Sequence, residues 1–168
     1  MNKLVLIFLV MAVSACAQQT YLGELDKLGK FPSKLKEVSG LEVTEDGKIW
    51  VIEDSGNKDK IYMVDKAGDI KESLKIDQAK NIDWEDLTMD TEGNLYIGDF
   101  GNNKNAREDL VIYKVTKDEM EKKEPNADKI EFSYPQQTNF PSEKDSLYFD
   151  TEGFFHLNDY LFFQNVFE

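Results

Sequence analysis

Acidic and amide side chains recur at the ends of short apolar runs in this chain. Asp83, Glu85 and Asp86 stand in Asn81-Ile-Asp-Trp-Glu-Asp-Leu87. Asp99 and Asn102 stand in Asp99-Phe-Gly-Asn102, Asp54 in Asp54-Ser-Gly-Asn57, and Glu152 in Asp150-Thr-Glu-Gly153. Converging carboxylates and amide oxygens suit a hard cation such as Ca²⁺, which takes about six to eight oxygens. Without a cation they repel one another. The candidate ligands are therefore Asp54, Asp83, Glu85, Asp86, Asp99, Asn102 and Glu152. The linear loop of an EF-hand is absent, because neither Asp54-Ser-Gly-Asn-Lys-Asp59 nor Asp99-Phe-Gly-Asn102 has its Asp-x-Asp-x-Asp-Gly order and distal Glu. A site must be assembled from separate segments. Two other readings of the same residues stay open. Asp and Asn bond their own backbone at turns and strand starts, and a carboxylate pair can act as general acid and base.

Other chemistry is thinner. Trp84 and Arg107 are candidate ligand-binding residues, Trp84 by stacking and Arg107 by gripping an anion. Trp84 also fits a core position, and Arg107 can pair with Glu108 or Asp109. His156 is the one histidine and sits between Phe155 and Leu157 in a strand pattern, which suits a half-buried structural role. No Gly-x-Ser-x-Gly elbow occurs. The chain has 168 residues, 33 acidic against 20 basic, and a formal net charge of −13. That balance excludes a nucleic-acid binder, which needs a basic surface to neutralise phosphates. One Cys and one His exclude a zinc site built from those types. A lone Cys also excludes a disulfide within the chain.

That cysteine has a different place. Met1-Asn2-Lys3 is a short positive start, and Leu4 to Val13 is an unbroken apolar run of ten residues. A membrane-spanning helix needs about 20, so the run fits a secretory signal. Val13-Ser14-Ala15-Cys16 looks like the lipobox of bacterial lipoproteins. The resemblance implies a signal over residues 1–15, cleavage before Cys16, and acylation of Cys16. Several acyl chains anchor stably where one is marginal. Ala17 follows the Cys rather than Asp, which by the same resemblance points to the outer membrane of a Gram-negative cell envelope.

The elements that must position the carboxylates are short strands. Residues 16–36 read as the lipidated Cys and a polar tether. From 37 onward β-rich runs alternate with turns, as in Lys48-Ile-Trp-Val-Ile-Glu53, Lys60-Ile-Tyr-Met-Val-Asp65 and Ile70-Lys-Glu-Ser-Leu-Lys-Ile76. The order then recurs. Leu41 matches Leu87, Gly47 matches Gly93 and Trp50 matches Tyr96, each 46 residues apart. Glu152 lies 67 after Glu85, so the second unit carries an insertion, and residues 116–126 fit a short surface helix within it. A repeat of about 45 residues with four short strands is the pattern of a propeller blade. The expected fold is all-β: about two complete four-stranded propeller blades plus the start of a third, as an incomplete ring. The units run over 37–80, 81–135 and 145–168. Propellers close with about four to eight blades, so this reading implies a truncated chain or one that completes its ring by association.

Several segments resemble a group of secreted bacterial propellers related to the NHL, SdiA-regulated and phytase-like families, common among Bacteroidetes-type lipoproteins. They are Val38-Ser-Gly-Leu41, Glu53-Asp-Ser-Gly-Asn57, Asn81-Ile-Asp-Trp-Glu-Asp-Leu87, Asn94-Leu-Tyr-Ile-Gly-Asp-Phe-Gly-Asn-Asn103 with Arg107, Ile112-Tyr-Lys-Val115 and Asp150-Thr-Glu-Gly153. The resemblance implies a six-bladed ring and identifies architecture better than activity. The function expected is a lipid-anchored module of the cell envelope that binds a protein, glycan or small molecule, with a structural Ca²⁺. The alternatives are a metal-dependent phytase-like or lactonase-like hydrolase using the same carboxylates, and an inactive fragment. Phytate hydrolysis calls for a strongly cationic pocket, whereas the lysines here are scattered among acids.

Overall fold

The computed structural model describes residues 26–143 and 148–165. Cys16 and the expected signal segment lie outside the described residues. Two four-stranded antiparallel sheets and a two-stranded hairpin follow one another along the chain. The first sheet is β1 (Val38–Val43), β2 (Ile49–Glu53), β3 (Lys60–Val64) and β4 (Ile70–Lys75). The second is β5 (Trp84–Met89), β6 (Leu95–Asp99), β7 (Val111–Val115) and β8 (Asp128–Glu131). The hairpin is β9 (Thr151–Leu157) with β10 (Tyr160–Asn165). In both sheets the strands pair in sequence order, which is the meander of a propeller blade.

Local chemistry explains the repeat. The β1–β2 and β5–β6 turns are closed by the same bonds. Thr44 N donates to Lys48 O at 2.9 Å and Asp90 N to Asn94 O at 3.1 Å. In each turn a glycine takes the left-handed conformation, Gly47 at φ 80° and Gly93 at φ 88°, which costs glycine little and other residues more. Residues 116–126 form one helical turn, α1 (Lys117–Met120), capped by the Thr116 hydroxyl accepting from Glu119 N. It ends at Met120 with Glu121 as C-cap; beyond it the Glu119 carboxylate accepts from Asn126 N at 2.8 Å, and Pro125 disfavours helix at Glu124, so the helix does not resume.

The blades stack through apolar faces. Trp50, Ile52, Ile61 and Leu74 of the first sheet meet Trp84, Leu87, Ile97 and Tyr113 of the second in one buried cluster. Tyr96, Phe100 and Ile112 on the opposite face of the second sheet meet Phe154 of the hairpin. The segment read as a polar tether also contributes: Phe31 and Leu35 pack on Val51, Tyr62 and Val64, the far face of the first blade. Inner strands β1, β5 and β9 lie side by side. They are joined by Ser39 Oγ donating to Trp84 O (2.8 Å), Met89 N to a Glu42 carboxylate oxygen (3.1 Å), Phe154 N to an Asp86 carboxylate oxygen (3.0 Å) and His156 N to Thr88 Oγ1 (3.3 Å).

Contact between β1 and β5 is close at Gly40. A Cβ built there stands 2.8 Å from Asp86 Cα and 2.9 Å from Leu87 N, and backbone cannot yield as a flexible side chain does. Gly40→Ala is expected to destabilise the chain by about 1–3 kcal/mol, the usual range for overpacking. Urea unfolding measures it. Gly56→Ala is the comparison, because a Cβ there meets nothing within 4 Å and only the φ penalty applies.

Candidate functional site

Each inner strand carries a bulge at the same place. In β1 pairing jumps from Val38↔Glu53 to Gly40↔Ile52, and in β5 from Trp84↔Asp99 to Asp86↔Gly98. In the hairpin it jumps between Gln164↔Gly153 and Asn165↔Thr151. The extra residues are Ser39, Glu85 and Glu152. A bulge leaves one residue unpaired and re-aims its side chain. Here it turns two glutamates from neighbouring units, Glu85 and Glu152, to one mouth of the blade stack, close enough for their charges to oppose each other.

Two loops complete the cluster. Asp54 follows β2 of the first blade and Asp83 precedes β5. Carboxylate oxygens of Asp54, Asp83 and Glu85 all lie within 4.8 Å of one another. Gly101 forms the floor: a Cβ there would sit 2.0 Å from Glu85 Oε1 and 2.5 Å from Asp83 Oδ2. Its N–H also donates to Asp83 O at 3.2 Å. Asp150 stands close behind, accepting from Asn102 N at 2.6 Å and from Asn103 Nδ2 at 3.1 Å.

The electrostatics follow from the crowding. Burial, then the charges of Glu152, Asp83, Asp54 and Asp150, push Glu85 up to about 9. Burial also raises Asp83, against a hydrogen bond from Ser55. Glu152 is raised by burial and by Asp150. At neutral pH Glu85 therefore keeps its proton. Bringing four or five carboxylates together makes ionisation of the most buried one unfavourable.

Of the candidate ligands grouped by sequence spacing, Asp54, Asp83 and Glu85 converge, with Glu152 joined to them. The other three face elsewhere, because the backbone claims them. Asp99 is fully buried and accepts from Ile82 N (3.3 Å), Asp83 N (3.0 Å) and Arg107 Nη1 (3.0 Å). Asp86 accepts from Leu87 N (2.8 Å) and Phe154 N (3.0 Å). Asn102 accepts from Ala106 N and Arg107 N, both at 2.8 Å, and donates to Phe149 O at 2.9 Å. These residues hold the loops that carry the cluster.

Both candidate ligand-binding residues are committed as well. Trp84 has no exposed surface; its indole N–H donates to Lys80 O at 3.1 Å and its ring packs 6.3 Å from Tyr113. Arg107 spends its guanidinium inward, on Asp99 Oδ1, Gly101 O, Asp99 O, Asp109 Oδ1 and Asp109 O, at 3.0–3.3 Å. His156 is half-buried and stacks on Tyr96, with ring centroids 5.7 Å apart. Sequence reasoning missed Gly101, and left Asp150 and Ser55 out of the ligand set. The Gly101 signal was present in Asp99-Phe-Gly-Asn102, where it read as turn chemistry.

No family model and no curated protein matches this chain. Among solved structures, selenomethionine-substituted virginiamycin B lyase from Staphylococcus aureus superposes on 75% of the chain with 20% identity and a TM-score of 0.44. The chain spans 33% of the length of that structure. The propeller architecture stated above rests on the sheets themselves, their strand order and their face-to-face stacking.

Two outcomes are expected of this geometry. Arg107→Leu leaves the buried Asp99 carboxylate without its cation, and breaking such a pair destabilises by about 3–5 kcal/mol, read by urea unfolding. The second concerns pH. Glu85 holds its proton up to about 9 when folded and only to about 4.3 when unfolded. Between those values the folded state binds more protons, so stability falls as pH rises. In chelator the melting temperature should decline steadily from about pH 5 to pH 9, and Glu85→Gln should flatten that decline.

Proposed function

We propose that this chain supplies the blades of a lipid-anchored binding module of the bacterial cell envelope, and that its axial mouth carries a structural Ca²⁺. The observation that carries the cation is the meeting of Asp54, Asp83 and Glu85 oxygens within 4.8 Å. Oxygens bound to one Ca²⁺ at about 2.3–2.6 Å stand no more than about 5 Å apart, so the spacing fits. The donor set fits too, being all-oxygen and anionic. Asp54, Asp83 and Glu85 would hold the ion and Glu152 would close the set from the third unit. A divalent ion would replace the proton on Glu85 and remove the mutual repulsion. It would also tie the first blade, the second blade and the hairpin together at one point. A protein, glycan or small molecule would then be bound at this mouth. Anchoring through Cys16, at the outer membrane, is supported by the Val-Ser-Ala-Cys sequence after a ten-residue apolar run.

Terbium substitutes for Ca²⁺ and is sensitised by a nearby indole, here Trp84 next to Glu85. Full chain in mild detergent should show saturable terbium emission that Ca²⁺ displaces. Glu85→Gln and Asp83→Asn should each weaken binding at least tenfold, with the far-ultraviolet circular dichroism unchanged. Binding that is indifferent to both substitutions sinks the assignment. The hydrolase reading uses the same carboxylates and is separated by turnover: a binding module shows no Ca²⁺-dependent ester or phosphate hydrolysis that Glu85→Gln abolishes. Anchoring is tested by Cys16→Ser, which should move the chain from the membrane fraction to the soluble fraction.

A further inference from the structure

The repeat separates what a blade needs from what one place in it needs. Val38 of β1 pairs with Glu53, and Trp84 of β5 pairs with Asp99. Two residues beyond those acids stand Ser55 in the first blade and Gly101 in the second. They are copies of one position. In the first blade it carries a side chain and is exposed, and in the second it carries none and is buried.

Turn geometry does not explain the glycine. Gly47, Gly56, Gly68 and Gly93 have a left-handed φ, and Gly101 does not. Space explains it. The three atoms nearest a Cβ built on Gly101 are Glu85 Oε1 at 2.0 Å, Asp83 Oδ2 at 2.5 Å and Asp83 Cγ at 2.6 Å. All three belong to carboxyl groups of the cluster. At Gly40 the obstacle includes the backbone of β5, and at Gly98 it is the ring of Phe100. The volume that a methyl group would fill at 101 is therefore the volume in which Asp83 and Glu85 meet. The floor itself is pinned on both sides. Gly101 N donates to Asp83 O at 3.2 Å, and Gly101 O accepts from Arg107 Nη1 at 3.0 Å.

We propose that Gly101 is the positioning residue of the cation site, because it lacks the side chain that would drive Glu85 and Asp83 from their meeting with Asp54. This rests on the reading of the cluster as a Ca²⁺ site. A Cβ at 101 obliges Glu85 Oε1 to withdraw by about 1 Å, several times the roughly 0.2 Å within which metal–ligand distances are held. The blade itself has no need of glycine here, since the first blade places Ser55 at the same point. The atoms that must move are the ends of side chains, so a methyl group disturbs the site and spares the fold.

The test uses the full chain in mild detergent, with terbium as the probe. Gly101→Ala should bind terbium about tenfold more weakly or worse, the loss typical of residues that orient metal ligands. Its melt in chelator should stay as cooperative as that of the unsubstituted chain. A double-mutant cycle then asks how Gly101 acts. Glu85→Asp shortens the side chain by one methylene and draws its oxygens back from position 101. In that background the loss caused by Gly101→Ala should be at least threefold smaller. Equal losses in the two backgrounds overturn the proposal. Equal affinity of Gly101→Ala and the unsubstituted chain overturns it as well, and leaves the Ca²⁺ reading standing. Absence of saturable terbium emission from the unsubstituted chain overturns both. A Gly101→Ala chain that has lost its cooperative melt in chelator also overturns the proposal, because the glycine then serves folding.

Discussion

A sheet of four short strands has two apolar faces and can bury neither alone. Burial of those faces against the next sheet is the constraint on which this molecule depends. Trp50, Ile52 and Ile61 have no core until Leu87, Ile97 and Tyr113 arrive, and Tyr96 and Phe100 have none until Phe154 does. The polar bonds between inner strands, such as Asp86 to Phe154 N, then hold one blade in register with the next. They are formed at the edge of an apolar contact that supplies most of the driving force.

The carboxylate cluster is a product of that stacking. Glu85 and Glu152 belong to different units and meet because each unit places the same bulge at the start of its inner strand. Asp54 arrives from the end of β2 in the first blade. A stack in register brings all three together and must then manage the repulsion, which it does by leaving a proton on Glu85. Elsewhere the same residue types stabilise loops. Asp99 accepts two backbone N–H groups and Arg107, and Asn102 ties the loop before β7 to the segment before β9. Asp86 and Asp99, reached by N–H groups of other segments, become struts, while Glu85 and Glu152 are turned to the mouth by their bulges.

Much of the architecture was legible in the chain. Strands such as Ile49–Glu53 and Lys60–Val64 follow from β-branched and aromatic runs between turns. Glycine at 47 and 93 marks hairpins because the left-handed turn admits few other residues. A repeat of 46 residues then predicts equivalent blades. Two local readings needed amendment. The stretch 116–126 shortened to one turn, ending at Met120, and Pro125 keeps it from resuming. The segment before 37 proved apolar where it matters, since Phe31 and Leu35 find a blade face that no local pattern announces.

The site was legible only in part, for a physical reason. Sequence by itself determined which residues carry charge, how they recur, and that they fall at strand ends, because these are properties of residue type and spacing. It could not separate Asp83 from Asp86 or Asp99, since all three are aspartates within one motif. Their roles were decided by whether a backbone N–H from another strand or loop reached them, which is a matter of tertiary packing. Trp84 and Arg107 show the same division. Their chemistry is written in the sequence, but only the stacked blades decided that the indole is sealed in the core and that the guanidinium turns inward to Asp99.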